Sequence, residues 1–179
     1  MDDDPAPRIW RGMGPEDRLS IATDRFLRRA LITPFWVGAM PDSDHGTRSD
    51  LQRIRDANKG QRPGVLDWLI VQGPPPLVRC LELKRGKNKL TEHQERTVEA
   101  MTLCGADPII AWSLADVHAG LVLSGFRFLP NVFTTLAHME MHLAAWDREA
   151  ANIREGITVR KPSKPRGPRV RPGLSWIRP

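Results

Sequence analysis

At 179 residues with 40% hydrophobic content, the chain is long enough to bury one core and too short for two ordinary domains. No apolar run approaches the ~18 residues of a membrane helix, and the start Met1-Asp2-Asp3-Asp4 is acidic where a secretory leader is basic, so a soluble cytoplasmic protein is expected. The formal net charge is +6, yet Arg160, Lys161, Lys164, Arg166, Arg169, Arg171 and Arg178 supply seven positive charges in a stretch without an acid, leaving a single net negative charge on the rest. A cationic tail of this kind suits a phosphate backbone better than a small ligand; its structural alternative is a solubilising terminus. Cys80 and Cys104 lie in apolar runs and form no CxxC pair, which excludes a zinc cluster or disulfide framework and leaves two buried thiols as the expectation.

In chain order, Pro15 with Glu16 and Asp17 opens a helix, and Leu19, Ala22, Phe26 and Leu27 carry it at helical spacing to about Leu31. Residues 33–40 read as a strand, 41–46 as a turn and 49–58 as a short charged helix. Two strand-like runs, 66–72 and 77–84, are joined by Gly73-Pro74-Pro75-Pro76, which cannot continue a ladder because proline lacks the N–H donor. Thr91 with Gln94 forms a capping box for a helix that turns Val98 and Met101 inward and stops at Gly105. A strand follows at 108–112, then a helix opened by Ser113 and Asp116 that ends near Gly125. A last amphipathic helix, about 134–155, faces Leu136, Leu143 and Trp146 to the body. Beyond it, five prolines among twenty residues preclude regular structure. The order predicts a mixed α/β sandwich with about four strands.

A hairpin centred on the Pro74–Pro75 bond pairs Val71 with Val78, Trp68 with Leu81 and Asp67 with Glu82. Opposed side chains stand roughly 4.5–5.5 Å apart at Cβ, and two like charges so placed oppose folding unless something positive lies between them. A divalent cation resolves that conflict, and Mg²⁺ takes one or two carboxylates plus water and phosphate oxygens. Alternation puts Cys80, Glu82 and Lys84 on one face and Leu81 and Leu83 on the other, so Lys84 projects beside the same position. The plainer alternative makes Glu82 and Lys84 charges on a solvated strand and Asp67 a turn residue.

Residues 63–67, Pro-Gly-Val-Leu-Asp, followed by Leu81-Glu82-Leu83-Lys84, resemble the signature of the PD-(D/E)XK nucleases. The basic glycine turn Arg85-Gly86-Lys87 and Gln94 in the next helix narrow the resemblance to the VRR-NUC branch, over about Glu16 to Gly125. Leu66 stands where that branch usually has proline. The resemblance implies a restriction-endonuclease-like core at 15–126; outside it, a flexible segment at 1–14, an extra C-terminal helix in 127–159 and a disordered basic tail at 160–179 are expected from composition and pattern. The resemblance also implies metal ligation by Asp67, Glu82 and the Leu83 carbonyl, with Glu16 completing the shell. Lys84 is then the residue that positions the attacking water, and Gln94 supports the site. Arg48, Arg85 and Lys87, with the tail residues Lys161, Lys164, Arg166, Arg169 and Arg171, become the expected nucleic-acid contacts. The implied activity is Mg²⁺-dependent hydrolysis of DNA, with Mn²⁺ substituting, by a structure-selective enzyme that pairs as a homodimer. The alternative from another class is a non-catalytic DNA-binding accessory protein that keeps the fold and uses its tail for affinity.

Three other signals carry less. His138 and His142 stand one helical turn apart at a spacing that can bind zinc, but not in the His-Glu-x-x-His order of metalloproteases. Trp10, Trp36, Trp68, Trp112, Trp146 and Trp176 are dispersed, as core or interface anchors are. No phosphate-binding glycine loop or Ser-His-Asp arrangement appears, so neither ATP nor a dinucleotide is expected.

Overall fold

The structure, a computed structural model, describes residues 13–40 and 64–156. The turn at 41–46, the short helix at 49–58, Arg48, Trp10 and everything from 157 onward, including Trp176, lie outside them.

Helix α1 (Pro15–Ala30) begins where the Gly14 N–H donates to Asp17 Oδ2 at 2.6 Å, an acid at the N-terminus that also complements the helix dipole. Its inner stripe, Leu19, Ala22, Phe26, Leu27 and Ala30, is fully buried. Strands β1 (Phe35–Ala39), β2 (Trp68–Gln72), β3 (Leu77–Leu83) and β4 (Ile109–Ala111) form one sheet in the order β1-β2-β3-β4. The first three run antiparallel, and β3 pairs parallel with β4. Trp68 faces Leu81 and Val71 faces Val78, the register a turn centred on Pro74–Pro75 dictates.

Helices α2 (Glu92–Leu103), α3 (Leu114–Leu123) and α4 (Val132–Arg154) complete the order. Both N-termini expected from sequence are capped: Thr91 and Gln94 bond each other reciprocally, and Ser113 Oγ accepts from the Asp116 N–H, whose carboxylate accepts from the Trp112 N–H. Helices α1 and α3 cover the sheet and α4 packs on these helices, so that Val37, Trp68, Ile70, Leu81, Leu83 and Ala111 meet Phe26, Val117, Leu121, Leu143 and Trp146 in one core. The result is a four-stranded mixed sheet flanked by helices.

Helix α4 turns Leu143 and Trp146 into the core it shares with α1, as expected, and adds Met139 to it. Three expectations change. Helix α2 buries none of its residues: Val98 and Met101 are only half-buried. Cys104 is exposed and Cys80 half-buried, so neither is a core thiol; burial still pushes the Cys80 thiol up from its ordinary value. Among the described tryptophans, Trp68 and Trp146 are core residues, whereas Trp36 and Trp112 stand largely in the open.

Gln72 pins the end of β2 away from the acids. Its amide donates to the carbonyls of Ile32 and Arg127 and accepts from the Arg127 N–H, joining α1's exit and the segment before α4 to the sheet. No helix among the described residues is long and apolar enough to cross a membrane.

Candidate active site

Asp67 lies one residue before β2, opposite Glu82, and there the ladder is closed by side chains. The Asp67 N–H donates to Glu82 Oε2 at 3.3 Å, and Asp67 Oδ2 accepts from the Leu83 N–H at 2.7 Å. Beyond this point β3 is held by β4, with the Lys84 N–H donating to the Ala111 carbonyl at 2.8 Å. The two carboxylates therefore occupy the fork where β2 parts from β3.

Glu82 points away from the core face that Leu81 and Leu83 occupy, as strand alternation requires, and is 0% exposed. Lys84, 6% exposed, places its Nζ 2.7 Å from Glu82 Oε1. Gln94, at the start of α2, donates its amide to the same oxygen. The amide oxygen of Gln94 meanwhile closes the capping box on the Thr91 N–H, so one side chain serves helix and site at once.

Burial pushes the Glu82 carboxyl up from 4.5 to about 7. The bonded Lys84 ammonium pulls it down and the neighbouring Asp67 charge pushes it further up; desolvation wins. A carboxylate held this way is short of positive charge although a lysine already touches it.

Gly64 brings α2 to this position. Its φ is +83°, and a Cβ there would stand 2.5 Å from the His93 carbonyl, so only glycine permits the approach of the chain leading to Asp67 to the first turn of α2.

The other expected site residues are placed differently. Glu16 accepts a hydrogen bond from the Asn88 side chain at 2.9 Å, which ties α1 to the loop after β3. Among the described residues, no group of three or more His, Cys, Asp or Glu side chains is gathered to hold a metal ion, so a carboxylate triad including Glu16 is not assembled. Arg85, partly exposed, bonds Asp147 Oδ2 on α4 at 2.8 Å. Lys87 is exposed. Arg48, Lys161, Lys164, Arg166, Arg169 and Arg171 fall outside the described residues.

Asp147 is the residue that sequence reasoning missed. Its second oxygen takes the buried Arg18 guanidinium of α1 at 2.7 Å, and Arg18 also donates to the Met13 carbonyl, so one acid clamps α1, α4 and the loop that follows Lys84. A signal was present: Asp147 falls one turn after inward-facing Leu143, on the stripe where an acid needs a cationic partner.

As a donor set, two adjacent carboxylates suit a hard divalent cation such as Mg²⁺ or Mn²⁺, and the raised Glu82 titration is the strain that a cation between the acids removes. No protein-family model, curated protein or solved structure matches the chain.

Proposed function

We propose that the chain is a metal-dependent nuclease that hydrolyses DNA phosphodiesters, built on a restriction-endonuclease-like core of the PD-(D/E)XK kind. The observation that carries this reading is the cluster of buried Glu82 and Lys84 with half-buried Asp67 and Gln94 at the β2–β3 fork. The order of the described elements around it supports the same reading: a helix, three antiparallel strands, a helix, a parallel fourth strand and a helix, with the acids just before β2 and near the end of β3.

Asp67 and Glu82 are the residues that would hold the cation, which when bound supplies Lewis-acid polarisation of the scissile phosphate. Asp67 is oriented for this by the Leu83 N–H, and Glu82 by Gln94 and the Asp67 N–H. Lys84 has three N–H donors, one engaged by Glu82, so its ammonium can hold the attacking water and offset charge as it builds on the phosphoryl oxygens. Its near-complete burial makes that charge worth more than a solvated lysine's.

A second reading, a non-catalytic DNA-binding accessory protein, is favoured by one observation: both Glu82 oxygens are already engaged by protein donors, and no third ligand joins the two acids among the described residues. Labelled linear, flapped and four-way DNA incubated with Mg²⁺, for wild type and Asp67→Ala, decides between them. Cleavage that needs both Mg²⁺ and Asp67 supports the nuclease; binding to every substrate with no cleavage of any leaves the accessory role. A preference for flapped or four-way DNA in the same panel, and a two-chain mass in solution, would support a structure-selective homodimer.

A further inference from the structure

The histidine pair on α4 gains from the structure a geometry that its sequence spacing did not settle. His138 and His142 are both exposed, and their Nε2 atoms face each other at 3.2 Å, with ring centroids 4.5 Å apart. A zinc–imidazole bond is about 2.0–2.1 Å, so an ion placed between nitrogens this far apart is bitten at an angle of about 100–106°, close to tetrahedral.

We propose that His138 and His142 form a two-imidazole surface site for a borderline transition-metal dication such as Zn²⁺ or Cu²⁺, chemically separate from the carboxylate pair. Imidazole nitrogen selects for these ions and against Mg²⁺, which prefers oxygen, so the two sites do not compete for one metal. Water completes the coordination shell, because no third His, Cys, Asp or Glu is gathered there among the described residues.

Arg25 and Arg29 act electrostatically on His142. The two arginines come from α1: Arg25 lies over the Trp146 ring and Arg29 reaches Met139 Sδ. Their charge opposes a dication, but it acts through solvent that screens it, whereas the two coordinate bonds are direct.

The test is titration of the full, tag-free chain with Cu²⁺, Zn²⁺ and Mg²⁺ at pH 7.5, read by calorimetry and, for Cu²⁺, by the nitrogen hyperfine splitting of its electron spin resonance. One strong Cu²⁺ site per chain is expected, with Cu²⁺ tighter than Zn²⁺ as the ordinary affinity order dictates, and a spectrum from two imidazole nitrogens. His138→Gln and His142→Gln should each weaken it at least tenfold, while His93→Gln, on α2, and Asp67→Ala leave it in place. Both histidines are exposed, so these variants are expected to fold, and unchanged thermal unfolding without metal checks this. A Cu²⁺ site that survives either α4 substitution, or that is lost with His93 or Asp67 instead, overturns the proposal. Because Asp67→Ala separates the sites, failure here leaves the nuclease reading untouched.

Discussion

At neutral pH the Glu82 carboxyl sits near the middle of its titration, because burial has moved it to about 7 while the unfolded chain keeps it near 4.5. The folded state thus holds this proton more tightly than the unfolded chain does, so the contribution to stability is full below 4.5 and is lost as pH rises through 7. In chelator, urea unfolding at pH 5 and pH 8 should show wild type losing about 1–3 kcal/mol more than Glu82→Gln. Saturating Mg²⁺ should flatten the loss, since a cation at the acids favours the charged carboxylate. A wild-type slope equal to that of Glu82→Gln would show that Glu82 does not titrate in this range. Gln94 invites a sharper substitution than alanine. Glutamate at this position keeps the capping box but cannot donate to Glu82 and sets a further carboxylate against it, so Gln94→Glu should destabilise the fold and lower cleavage about 10–100-fold, whereas Thr91→Ala, which breaks the cap alone, should cost stability with cleavage kept. A loss of cleavage in Thr91→Ala as large as that in Gln94→Glu would reduce Gln94 to a cap.

The elements are held to the site by few contacts, and some of these were readable in advance. The hairpin register was legible because Gly73-Pro74-Pro75-Pro76 fixes its centre and alternation then carries Asp67 to Glu82. Helix α2 was legible in its cap and misjudged in its packing: Val98 and Met101 look like an inward stripe, but the helix touches the site through its first turn and buries nothing further along. The Arg85–Asp147–Arg18 clamp was not legible, since its partners lie 62 and 129 residues apart and no local pattern joins them. Gly64 tests the placement of α2. Gly64→Ala adds a Cβ against the His93 backbone in a left-handed conformation that costs a non-glycine residue about 1–2 kcal/mol before the clash is counted. Thermal unfolding should register at least that loss, and cleavage should fall. Combined with Gln94→Ala, its effect on rate should be less than additive, because both break one contact. Full additivity would mean that Gly64 acts elsewhere.

For the whole molecule, charge and fold are separate matters. The core joins one face of the sheet to α1 and α3, with α4 packed on these helices and the acids on the opposite strand face, whereas the excess positive charge lies at 160–179, outside the described residues. Deleting 160–179 should therefore leave the cleavage rate of bound DNA unchanged while weakening DNA affinity. The salt dependence of binding should become shallower by up to about 6 in log–log slope, given seven charges at about 0.9 each. Unchanged binding would make the tail a solubilising segment.

The side-chain closure at the fork has a consequence for how this architecture can be varied. Five paired rungs separate the exposed Pro74–Pro75 turn from Asp67 and Glu82, and Gln72 anchors the ladder just before that turn. The turn is thus mechanically insulated from the chemistry: new chain termini, a reporter or a targeting module can be grafted there, while the few residues between Gly64 and Asp67 tolerate no such insertion.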